Sequence, residues 1–164
     1  MSSLWMPAYV AIGSNLDDPL AQVRMALQRL QALEASCLVS SSRLYRSVPL
    51  GPQEQPGFIN AVAGLLTQLE PRELLLRLKR IEADMGRTSP VVRWGPRRID
   101  LDLLVYGSVQ INEGDLVVPH PGVHERNFVL YPLRDIAPDL IVPGHGSVAG
   151  LAARVGAAGL VPIP

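Results

Sequence analysis

Cysteine is almost absent from this chain: of 164 residues, only Cys37 carries a thiol. No internal disulfide can form, the chain fits a reducing compartment, and Cys37 reads as a small core residue. Aromatic residues are scarce at 5%, and charge cancels, with 15 Lys and Arg against 15 Asp and Glu. A nucleic-acid module wants exposed aromatics, a basic face and a K/R-G-F-G-F-V-like segment, so that partner class is set aside. No apolar run approaches the roughly 20 residues that span a bilayer. The opening MSSLWMPAYVAIGSN has no basic region followed by an apolar one. A soluble, cytoplasmic protein without a membrane partner is expected. The phosphate-loop pattern G-x-x-x-x-G-K-[ST], the dinucleotide pattern G-x-G-x-x-G and the nucleophile pattern G-x-S-x-G are all missing, as is a Cys/His pair for covalent catalysis. Internal repeats and low-complexity segments are missing too.

The hydrophobic content of 48% in 164 residues suits one domain, 1–164, with a single core and no spare apolar stripe, hence a monomer. Ala8 to Gly13 reads as a strand entering a Gly-Ser-Asn turn. Val23, Ala26, Leu27, Leu30 and Leu33 recur at helical spacing after Asp17-Asp18-Pro19, which predicts a helix over 19–34. Residues 38–48 alternate as one strand with a wetter face. A Pro/Gly-rich loop, 49–57, precedes a strand from Phe58 to Leu66. Pro71 opens a helix over 71–85 striped by Leu74, Leu75, Leu78, Ile81 and Met85, with Gly86 ending it. A loop over 87–98 leads to a strand over 99–106. Strand, helix, strand, strand, helix, strand describes an α+β, ferredoxin-like βαββαβ core: an antiparallel sheet with both helices on one face. A C-terminal extension follows, with a short hairpin, a helix within 124–136 and another near 148–155.

Most of the chemistry gathers in Arg93-Trp94-Gly95-Pro96-Arg97-Arg98-Ile99-Asp100-Leu101-Asp102-Leu103-Leu104. On a strand, Asp100 and Asp102 project from one face about 7 Å apart, while Leu101 and Leu103 point the other way. Two carboxylates so close repel unless a cation lies between them. Magnesium fits, because it binds through one or two carboxylates plus substrate phosphates. Arg87, Arg93, Arg97 and Arg98 lie just upstream with no acid among them, and suit those phosphates as forked donors. Trp94 reads as a packing anchor for this loop. Glu82, near the helix end that feeds it, is placed to face a site. Asn60 offers both sides of an amide at a strand start. His120, between two prolines, is either a phosphate donor or structural. His120 and His124 stand four apart, but Pro121-Gly122 interrupts the helix that a zinc pair would need. Arg126 and Phe128 are an anion contact and an apolar wall, or simply helix surface and helix stripe. Together these features describe a magnesium-dependent phosphoryl- or nucleotidyl-transfer enzyme of open acceptor.

The run from Arg93 to Leu104 resembles, at every required place, the signature of the 6-hydroxymethyl-7,8-dihydropterin pyrophosphokinase family. The resemblance extends over Tyr9–Leu16, over Pro49–Pro56 with Phe58 and Asn60, and over Val118-Pro119-His120, and so covers about 8–140. It implies pyrophosphoryl transfer from ATP to the pterin hydroxymethyl group, releasing AMP, in folate biosynthesis. It implies two Mg2+ ions on Asp100 and Asp102, and catalytic roles for these and for Arg87 and Arg97. Glu82, Arg87, Arg93, Trp94, Arg97, Ile99, His120 and Arg126 fall on the ATP side. Ser47, Val48, Leu50, Phe58, Asn60, Trp94 and Phe128 fall on the pterin side, with the two phenylalanines stacking on the bicycle. The chain departs from some members at Ser89, Lys79 and Pro121, which bears on ATP contacts. The competing reading is a metal-dependent transferase with another acceptor.

Overall fold

The computed structural model describes residues 4–47, 57–86 and 99–164. Its main sheet has six strands: β1 (Met6–Ser14), β2 (Ser36–Ser41), β3 (Tyr45–Ser47), β4 (Phe58–Thr67), β5 (Asp100–Tyr106) and β10 (Leu160–Pro162). The order is β10-β3-β4-β1-β5, with β2 pairing β4 beyond the end of β3, and every pairing is antiparallel. Two short hairpins, β6 (Ile111–Glu113) with β7 (Leu116–Val118) and β8 (Ile141–Val142) with β9 (Gly146–Ser147), stand apart from it.

Alternation along each strand sends side chains to two different cores. Ala8, Val10 and Ile12 of β1, Ile59, Ala61, Ala63 and Leu65 of β4, and Leu101 and Leu103 of β5 face one layer. There they meet Val23, Ala26 and Leu30 of α1 (Pro19–Gln31) and Leu74, Leu78 and Ile81 of α2 (Pro71–Asp84). Leu78 is fully buried at this contact, so Leu78→Ala would cost about 2–5 kcal/mol through lost transfer energy and a residual cavity. Tyr9, Ala11 and Val62 point the opposite way and pack with α3 (Asn127–Ile136) and α4 (Val148–Val155). The antiparallel sheet, with α1 and α2 on one face, agrees with the sequence pattern. From the residues after β5, α3 and α4 cover the other face, while Leu116 and Val118 of β7 join the α1/α2 core.

Two expectations change. The strand read over 38–48 is broken, because Ser42 leaves the ladder and its side chain replaces it. Ser42 N–H donates to the Val62 carbonyl and Val62 N–H donates to Ser42 Oγ, both at 2.9 Å. Cys37 is exposed rather than buried. Its neighbour Leu38 takes the α1-side position opposite Leu65, which turns Cys37 to the other face beside the exposed Leu66.

The C-terminal residues return to the first half of the chain. β10 pairs β3 with Leu160 opposite Ser47. Asn127 Nδ2, at the start of α3, donates to the carbonyls of Gly156 and Ala158 at 3.1 and 2.8 Å.

Candidate active site

Gly13 organises the site. It lies inside β1, not in a turn, and stands opposite Asn60 of β4 on one side and Asp100 of β5 on the other. Cross-strand partners share a face, so Asn60, Gly13 and Asp100 form a row, with Asn60 and Asp100 about 10 Å apart at Cα, two strand spacings. Asp102 follows on the same face opposite Ala11, and Leu101 and Leu103 are buried behind. This is the face that carries α3, whose Phe128 packs half-buried against the core on that side.

The Asn60 side is built tightly. Asn60 is buried, and its Nδ2 donates to Ser47 Oγ at 2.7 Å. Ser47 in turn stands opposite Phe58, so Ser47, Phe58 and Asn60 share one patch across β3 and β4. A methyl group on Gly13 would lie 3.2 Å from Asn60 Oδ1 and 3.9 Å from Phe58. The missing side chain leaves the backbone open between the amide and the carboxylates.

The carboxylate side is completed by the 119–126 turn. His120 N–H donates to the Leu104 carbonyl at 2.9 Å, which ties the turn to β5 and sets His120 Nε2 4.0 Å from Asp102 Oδ2. Gly122 N–H donates to His120 Nδ1 at 3.1 Å, so the neutral ring carries its proton on Nε2, facing the carboxylates. Burial, and then the Arg126 guanidinium, hold the His120 pKa below its usual 6.5, against an opposing pull from Asp100. Arg126 folds over Gly122, where a methyl group would meet its guanidinium carbon at 2.6 Å. His124 takes no part, since its ring stacks on His145 with centroids 4.0 Å apart. Among the described residues, no three His, Cys, Asp or Glu side chains gather as a metal cage. Two half-buried carboxylates on one strand face suit magnesium, which keeps water and phosphate oxygens as its other ligands.

Glu82 and Ile99 sit differently from the other site candidates. Ile99 is fully buried in the α1/α2 core. Glu82 is 6% exposed, and its Oε2 accepts from the N–H of Leu101 at 2.7 Å. Val48, Leu50, Arg87, Arg93, Trp94 and Arg97 lie outside the described residues. Gly13, expected at the start of a turn, is a strand residue. Its available signal was a glycine within a β-pattern, which marks a close backbone approach.

A family model for 7,8-dihydro-6-hydroxymethylpterin-pyrophosphokinase (HPPK) matches residues 9–138. This chain belongs to the HPPK family. The 2-amino-4-hydroxy-6-hydroxymethyldihydropteridine pyrophosphokinase of Haemophilus influenzae is 47% identical over 144 residues, 88% of this chain and 89% of that one. The Pseudomonas aeruginosa protein of the same name is 49% identical over 135 residues, 82% of this chain and 83% of its own. Among solved structures, Plasmodium falciparum HPPK-DHPS wild type with pteroate superposes with a TM-score of 0.71 at 13% identity, a likeness of fold. That match covers 92% of this chain but only 42% of the Plasmodium chain, so this chain spans less than half its length. The HPPK match includes all of β1, β4 and β5 from Tyr9 onward, the strands that supply the row.

Proposed function

We propose that this chain, as a single ferredoxin-like βαββαβ domain with a C-terminal extension, transfers the pyrophosphoryl group of ATP to 6-hydroxymethyl-7,8-dihydropterin in folate biosynthesis. The hydroxymethyl oxygen bonds to the β-phosphorus, the bond from that phosphorus to the α–β bridging oxygen breaks, and AMP leaves with that oxygen. The hydroxyl proton passes to solvent. The carrying observation is the row itself: a buried amide and a carboxylate pair on one face, separated by a bare glycine. Asn60, held by Ser47, reads the edge of the pterin, while Phe58 and Phe128 hold its faces and Val48, Leu50 and Trp94 complete the pocket. Asp100 and Asp102 hold two Mg2+ ions, which supply positive charge to the triphosphate and its developing negative charge. His120 donates from Nε2 to the nucleotide phosphates, and Arg126 adds charge beside it. Arg87, Arg93 and Arg97 meet the phosphates as forked donors. Ile99 has only backbone to offer the nucleotide, since its side chain belongs to the core.

The test is incubation with ATP, magnesium and the reduced hydroxymethylpterin. AMP and a pyrophosphorylated pterin should appear in equal amounts. ADP as product, or no product unless another acceptor is supplied, would replace this reading with the wider phosphoryl- or nucleotidyl-transferase class.

A further inference from the structure

We infer that Glu82 is a positioning residue, which fixes the start of β5 so that Asp100 and Asp102 present their carboxylates together; this rests on the metal role proposed for those aspartates. β5 has β1 on one side and, among the described residues, no strand on the other. A strand start with one neighbour frays unless its backbone donors find partners. The N–H between the two aspartates, that of Leu101, donates to Glu82 Oε2 at 2.7 Å, a short bond for this donor and acceptor. Glu82 belongs to α2, which packs on the face opposite the carboxylates. It therefore acts from behind the site, through the backbone.

Glu82 is 6% exposed and lies in the last turn of α2, so the carboxylate that meets Leu101 is carried by a packed helix. Its bond to Leu101 fixes the peptides on both sides, and so the directions in which Asp100 and Asp102 leave the strand.

The test uses the full chain, with Mn2+ as the metal probe and a non-hydrolysable ATP analogue. In metal-free protein, Glu82→Ala should speed amide exchange at Leu101, while Glu82→Gln, which keeps an acceptor oxygen, should not. In the presence of the analogue, Glu82→Ala should weaken Mn2+ binding, read by electron paramagnetic resonance, about ten- to a hundredfold. Binding of the metal-free analogue should stay at the parent level, and Glu82→Gln should restore most of the Mn2+ affinity. Unchanged Mn2+ binding in Glu82→Ala, or an equal loss of metal-free analogue binding, overturns the inference; the second result makes Glu82 a nucleotide contact. If alanine does not fold, Glu82→Asp retracts the acceptor by one methylene and must weaken Mn2+ binding, so parent-like binding overturns the inference. Asp102→Ala is the control. If it too leaves Mn2+ binding intact, the carboxylate site falls and Glu82's role with it. If only the Glu82 variants bind normally, the site stands and the positioning role falls.

Discussion

Replacing Gly13 by alanine separates folding from binding of the acceptor. Gly13 pairs regularly within β1, and its φ lies outside the left-handed region, so alanine adopts the same backbone without strain. Loss of glycine's freedom in the unfolded chain should stabilise the protein by about 0.4–1 kcal/mol, offset by whatever the new methyl must push aside. It must push Asn60, because 3.2 Å from Oδ1 is tighter than ordinary van der Waals contact and the amide has to yield by a few tenths of an ångström. The Asn60–Ser47 bond of 2.7 Å is strained in the same movement. Misaligning a buried amide that should read the pterin edge costs about 1–3 kcal/mol, which is roughly a 5- to 150-fold loss of pterin affinity. Calorimetric titration with pterin, in the presence of a non-hydrolysable ATP analogue, measures this directly, and thermal melting reports the fold. ATP-analogue affinity should be unchanged. A Gly13→Ala protein that melts several degrees lower, or binds pterin like the parent, or loses both ligands equally, would refute the reasoning.

Asp102→Ala should lower turnover by more than about tenfold, or ~1.4 kcal/mol in the barrier, with an unchanged far-ultraviolet circular dichroism spectrum; a smaller loss removes the metal assignment. His120 should titrate below 6.5 in the free protein, read from its imidazole proton shifts. Because the unfolded chain then takes up the proton first as pH falls, the His120 contribution to stability is complete above 6.5 and is lost as pH drops through the lower native value. Arg126→Ala should move that midpoint up and Asp100→Asn should move it further down, and shifts of the opposite sign would contradict the arrangement around the ring. Asp135 accepts from Tyr45 OH at 2.7 Å and from Arg43, joining α3 to β3. Asp135→Ala should destabilise by about 1–3 kcal/mol in urea unfolding, because it leaves the Tyr45 hydroxyl, which accepts from Arg43, with no acceptor for its own proton. Tyr45, raised mainly by burial and then by Asp135, should ionise at lower pH in that variant, by absorbance titration.

The parts legible in the sequence were those with a period. Asp100 and Asp102 against Leu101 and Leu103 gave a strand and a face, and the α1 and α2 stripes gave one wall of the core. Ser42 could not be foreseen as a break, because a side chain that takes over a backbone ladder leaves no periodic mark. Cys37 was assigned by residue type, whereas its place depends on which side Leu38 took. Glu82 is placed by the sequence near the helix end that feeds the site, and its bond to the Leu101 N–H, nineteen residues on, is a contact that composition cannot register. Gly13 gains its meaning from two neighbours far along the chain.

The last residues of the chain have a use that their plain Ala/Gly composition conceals. By lying beside Ser47 and bracing the residue before Phe128, they act as a buttress behind both walls of the pocket proposed for the acceptor. On that proposal, trimming this tail, or loading it with a purification handle, should change substrate recognition from the far end of the molecule.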